Sequence, residues 1–141
     1  MTKKQRSGCP VSLGLDVFGD RWTLLIIRDL MFSGKRHFRE LIQNEEGISS
    51  NILADRLQML LDEGVISRSE DHSHRQKVVY SLTAKGIELL PLLMQIARWS
   101  YKFRPVSERF IGETAVDEAA HPVSWDVQMQ ALRRTHLGEG A

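Results

Sequence analysis

HFRELIQNEEGISSNILADRLQMLLDEGVISR, residues 37 to 68, carries two helical periods with a break between them. Phe38, Leu41 and Ile42 recur at helical offsets, which predicts one apolar face of a short helix, and Asn44 to Gly47 then substitutes turn residues for a continuing stripe. A second helix starts immediately, with Ser49 as its N-cap, Leu53, Leu57, Leu60 and Leu61 as its apolar stripe and Gly64 closing it. The order is helix, turn, helix. With the leucines turned inward, Asn51, Asp55 and Gln58 fall on the opposite face, and Ser50 and Arg56 lie beside them. Amides, hydroxyls and a guanidinium are the groups that read base edges or hold phosphates.

The segments that follow narrow the fold. Val65 to Ser69 and Lys77 to Leu82 alternate as strands, with the polar run Glu70 to Gln76 between them, so a hairpin follows the second helix directly. This predicts a mainly α chain with a small β-hairpin wing, a winged helix-turn-helix. Here the chain resembles the HxlR-type family of bacterial transcriptional regulators, relatives of the MarR-type winged-helix proteins. The resemblance is carried by Cys9-Pro10, GDRWTLLIIRDL from Gly19, FREL from Phe38, GISSNILADRL from Gly47, EGVISR from Glu63, VYSLTAKG from Val79 and the Trp99 region. It covers about the first three quarters of the chain in order and stops near Arg104. It implies DNA binding by a homodimer joined through its terminal helices.

At 141 residues, 42% hydrophobic and 26% charged, the chain has the size of one globular domain able to bury a core. No apolar run approaches the roughly 18 residues of a membrane span, and the first residues lack a signal peptide's apolar centre, so a cytoplasmic location is expected. One cysteine excludes an intramolecular disulfide. The net charge of +1 divides unevenly: residues 1–104 hold sixteen basic and twelve acidic side chains, whereas 105–141 hold three and six. Positive charge therefore goes with the winged helix, carried by Lys35, Arg36, Arg39, Arg56, Arg68, Arg75 and Lys77 among others.

The rest of the chain is organised around that motif. Pro10 suits the first position of a helix capped by Cys9, with Met1 to Gly8 as a polar, basic leader. Asp20 can cap a helix whose apolar residues, from Trp22 to Met31, cover nearly its whole circumference, which predicts the buried centre of the domain. Beyond the wing, Thr83 caps a helix expected over 83–103 and bent at Pro91. It carries two apolar stripes, and a domain of this size has core for only one. Leu89, Leu92, Leu93, Ile96, Trp99 and Phe103 are therefore assigned to a dimer interface, the alternative cover being the chain's own tail. Residues 1–104 form the winged-helix domain with this dimerisation helix. Residues 105–141 form an extension of unassigned role, with an acidic loop at Gly112 to His121 and a helix predicted over 124–136 that lines up Trp125, Met129 and Leu132.

The DNA-contacting set read from the sequence is Arg36, Ser49, Ser50, Asn51, Asp55, Arg56, Gln58, His74, Arg75 and Lys77. In the resembling family the position of Asp55 more often holds an uncharged or basic residue, and a carboxylate there can only accept, from cytosine or from Arg56. His72 and His74 form an HxH pair at the wing tip, but with no third ligand placed beside them no metal is expected, and no cofactor. No motif sets a base beside Cys9, and no phosphate loop or carboxylate pair is present, which argues against an enzyme. The resemblance implies a regulatory role for Cys9, since many family members carry a cysteine before this proline and several respond to electrophiles or oxidants through it. The expected function is a dimeric, sequence-specific regulator on an inverted-repeat DNA site, open to a small-molecule or oxidant effector. The alternative is a winged-helix protein-interaction module.

Overall fold

The computed structural model describes residues 5–71, 77–110 and 122–139, and at 71, 77 and 122–124 the backbone alone. Helix α1 spans Pro10–Phe18 with Cys9 at its N-cap in an extended conformation and Pro10 at its first position. It is short and buries no residue. Helix α2, Thr23–Phe32, starts where Asp20 accepts hydrogen bonds from the backbone N–H of Trp22 (2.9 Å) and Thr23 (3.1 Å) and from the Thr23 hydroxyl (2.5 Å). The two backbone donors have no partner inside the helix, so one carboxylate satisfies both. Ile26, Ile27, Leu30 and Met31 place α2 in the middle of the core, with Trp22 half-buried against it.

The helix-turn-helix consists of α3 (Phe38–Leu41) and α4 (Ser50–Asp62). The Asn44 side chain accepts from Gly47 and Ile48 N–H, and Gly47 takes φ +76°, a conformation that costs glycine little. The Ser49 hydroxyl caps α4 by accepting from Ile52 N–H at 3.2 Å, and Leu53, Leu57 and Leu60 are fully buried on its inner face. Strands β1 (Ile66–Asp71) and β2 (Lys77–Leu82) pair antiparallel, with Ile66 opposite Leu82 and Arg68 opposite Tyr80. The first strand begins one residue later and ends two later than the alternation predicts.

The helix expected over 83–103 is two helices. Thr83 caps α5 (Ala84–Ile87) through a bond from Gly86 N–H, and α6 (Leu90–Phe103) starts separately after Leu89. Pro91 explains the break, because it has no N–H to return to the Ile87 carbonyl and its ring crowds that position. The predicted tail helix is present and slightly longer, α7 at Pro122–Leu137. It packs against β2, α5 and α6, and Trp125, Met129 and Leu132 rest on the core. The tail thus does fold back, yet Leu92, Ile96, Trp99 and Phe103 of α6 stay exposed.

Candidate nucleic-acid interface

Burial of the α4 leucines fixes which side of that helix meets solvent. Ser50, Asn51, Asp55 and Gln58 are exposed on it. The Asn51 amide has no side-chain hydrogen bond among the described residues. Gln58 Nε2 donates to Asp62 at 3.0 Å, a one-turn contact on the same helix that a better acceptor can displace. Asp55 accepts from Arg56 through one carboxylate oxygen and its side chain stays exposed.

Arg56 is not part of the open face. Its Nε donates to Asp20 at 2.9 Å, joining α4 to the cap of α2; against burial, which pushes the Asp20 carboxyl up, the Thr23 hydroxyl, then this guanidinium and two backbone N–H groups hold it at about 2. Arg56 therefore fixes the angle between the central helix and α4. Arg36 is similarly engaged. Its Nε donates to the Tyr80 carbonyl at 2.7 Å, its Nη2 donates to the Ser81 hydroxyl, and its own carbonyl accepts from Tyr80 N–H at 2.8 Å, so the residue is tied to the outer edge of β2. Burial moves the Arg36 pKa down, partly offset by Glu40. Lys77 lies in β2 opposite Asp71 by its backbone, and His72, His74 and Arg75 lie outside the described residues.

Exposed cations on the segments next to α4 include Arg39 on α3, Arg21 and Arg68, and Lys85 donates to the Glu63 carbonyl at the end of α4. Arg21 was not singled out by the sequence reading. It follows Asp20, which Arg56 ties to the middle of α4, and the available signal was its place next to the predicted cap. Asp29, buried at the far end of α2, pairs with Arg28, and Arg28 also grips Glu46 through two bonds of 2.9 Å, which pins the turn between α3 and α4. Such pinning holds the exposed face of α4 in one orientation.

Cys9 is exposed. Its thiol pKa is lowered by the backbone N–H groups of Ser12 and Val11, although the sulfur makes no formal capping hydrogen bond. Arg6, three residues before Cys9, has its guanidinium taken by Asp16 at 2.9 Å. Lys3 and Lys4 lie outside the described residues. Of the six residues assigned to a dimer interface, Leu89 and Leu93 pack on the core, whereas Leu92, Ile96, Trp99 and Phe103 form an exposed row in which the Trp99 and Phe103 ring centres are 5.5 Å apart. Val11, Leu13 and Leu15 of α1 are exposed as well.

A model of the HxlR-like helix-turn-helix family matches residues 17–108. The chain is similar to the HTH-type transcriptional regulator YybR of Bacillus subtilis, 33% identical over 105 residues that make up 74% of this chain and 83% of that protein. The crystal structure of PA1607, described as a candidate transcription factor, shares 38% identity with a TM-score of 0.66, covering 74% of this chain and 71% of that one. The reduced form of the transcriptional regulator YodB from B. subtilis shares 32% identity with a TM-score of 0.58, covering 69% of this chain and 95% of that one. YodB structures also exist in quinone-bound and diamide-treated forms.

Proposed function

Because the chain belongs to the HxlR-like helix-turn-helix family and is a transcriptional regulator of helix-turn-helix fold, we propose that it binds a specific double-stranded DNA sequence as a homodimer, with α4 in the major groove and the wing on the flanking backbone. The observation that carries this reading is the division of α4 into a buried leucine face and an exposed face bearing Ser50, Asn51 and Gln58, on a helix tied to Asp20 through Arg56 and preceded by a turn that Asn44 holds. Asn51 and Gln58 supply the paired donor and acceptor that adenine offers in the major groove. Arg39, Arg21 and Arg68 supply phosphate contacts. The second copy covers the exposed row on α6, which a folded single chain leaves in water.

Selection of bound fragments from a random duplex pool by the purified protein tests this. An enriched inverted repeat, its half-sites about one helical turn or a multiple apart, is expected, with log affinity falling against log salt at a slope of about −5 to −9 for 6 to 10 phosphate contacts. No enrichment, or an affinity indifferent to salt, would leave a protein-interaction module as the better reading.

The same proposal gives Cys9 a regulatory role. Its exposure and lowered pKa favour the thiolate, the form that attacks oxidants and electrophiles, and the similar YodB has been crystallised with a quinone and after treatment with the thiol oxidant diamide. With one cysteine per chain, the products are an adduct, a sulfenic acid or a disulfide between two subunits. DNA affinity is expected to drop after diamide in the wild type and to hold in Cys9→Ser. Unchanged wild-type affinity after mass spectrometry has verified the modified thiol would remove Cys9 from the mechanism.

A further inference from the structure

Helix α7 lies outside the residues that match the family model, and one of its side chains bonds the backbone of the wing. His136 Nδ1 accepts a hydrogen bond from Leu82 N–H at 3.0 Å. Leu82 and Tyr80 are two apart in β2, so their N–H groups point to the same edge, the one turned away from β1. Tyr80 N–H is taken by the Arg36 carbonyl and Leu82 N–H by His136, so the outer edge of the hairpin is closed by two different segments of the chain. We propose that His136 is a positioning residue for DNA binding, a latch by which the C-terminal helix holds the root of the wing at a fixed angle to α4. The contribution to DNA binding rests on the reading given under Proposed function; the latch itself does not.

The chemistry of the contact makes it dependent on one proton. Nδ1 faces an N–H donor, so it must carry the lone pair, and the ring proton must sit on Nε2. A protonated ring has a donor at both nitrogens and would turn N–H against N–H. The surroundings oppose that form: α2 and β2 present backbone to the ring, at Leu30 and Leu82, and the charged group bearing on it is Arg36, which its bonds to Tyr80 and Ser81 keep in place, with Glu40 next to Arg36 in turn. On α7 itself, Arg133 is bonded to Glu139 and Arg134 is exposed. Burial first, then the Arg36 charge, lower the His136 pKa from 6.5 to about 4, with a backbone hydrogen bond to Leu30 opposing. A histidine whose docked pKa is depressed contributes to docking above its free pKa and loses that contribution as the pH falls from about 6.5 towards 4. The latch is therefore closed at neutral pH and weakens in acid.

Amide hydrogen exchange followed residue by residue, corrected for intrinsic rates, tests the latch on the free protein. In His136→Ala, protection of Leu82 should fall about fivefold or more, as loss of one hydrogen bond requires, while Tyr80, bonded to Arg36, changes less. His136→Gln should restore it, since a neutral amide presents an oxygen to Leu82 N–H, and should hold protection between pH 6.5 and 4 where the wild type loses it. Affinity for the selected duplex should fall by a similar factor in the Ala variant and return in the Gln variant. Unaltered Leu82 protection in His136→Ala overturns the latch. Lost protection with undiminished affinity overturns its role in positioning. A wild-type chain that selects no duplex sinks the DNA-binding reading, and exchange at Leu82 still decides the latch.

Discussion

Asn51 presents an amide that no described side chain engages, whereas the Arg36 guanidinium is held by the Tyr80 carbonyl and the Ser81 hydroxyl. These environments predict opposite phenotypes for truncation. Asn51→Ala should leave thermal stability close to wild type, as exposed substitutions do, and cost about 1 to 3 kcal/mol of discrimination at the base it reads. Arg36→Ala should lower stability by about 1 to 3 kcal/mol, because it strands half-buried acceptors at the wing root, while the slope of log affinity against log salt stays put. Thermal melting and binding titrations over a salt series separate the two, and a salt slope reduced by about one in Arg36→Ala would return that arginine to the phosphate contacts. Side chains on α4 were legible because the leucine stripe fixes the opposite face by helical geometry alone. The bonds of Arg36 and Arg56 within the chain were not legible, for a physical reason: a guanidinium reaches far enough to be claimed by an acceptor distant in sequence, here Tyr80 and Asp20, and nothing local announces it.

At the scale of elements, the caps and turns follow from local rules that a sequence displays. Asp20, Ser49 and Thr83 each accept from the N–H groups at a helix start, and Gly64 takes the positive φ that ends α4. The division of the 83–103 segment into α5 and α6 depends on tertiary contact as well as on Pro91. Gly86 in α5 lies so near the Val65 carbonyl that an added Cβ would sit 2.2 Å from that oxygen, against which no side-chain rotation can help. Helix propensity alone favours alanine there by about 1 kcal/mol. Close packing decides the sign, and Gly86→Ala should destabilise by about 1 to 3 kcal/mol, because α5 must back away from the Val65 backbone just before β1. A melting temperature equal to or above that of the wild type would show that α5 and the strand separate freely. The result also bears on the wing, since the Thr83 hydroxyl bonds Gly64 and Val65 carbonyls at the same junction.

At the scale of the whole molecule, the described residues leave exposed both the polar face of α4 and an apolar row on α6 in which Trp99 is 58% and Phe103 68% exposed. The tail was the rival cover for that row, and α7 instead lies over β2, α5 and the start of α6, where Leu90 is fully buried. Sequence periodicity identified both stripes of α6 but had no means of saying which the tail would choose, since that depends on where residues 104–122 lead the chain. With α7 engaged elsewhere, a second copy is the natural cover, and a two-fold dimer would carry two α4 helices to successive turns of DNA. Trp99→Asp tests this without disturbing the core, because the side chain is mostly in water within one chain. Sedimentation at micromolar concentration should give a dimer for the wild type and a monomer for the variant, with melting of the isolated chain little changed. Affinity for the full inverted repeat should fall about a hundredfold or more in the variant, as the second half-site stops being bound at high effective concentration, while affinity for a single half-site stays nearly equal in the two proteins. A variant that remains dimeric would move the subunit contact to another surface, of which the exposed Val11, Leu13 and Leu15 of α1 are the first to examine.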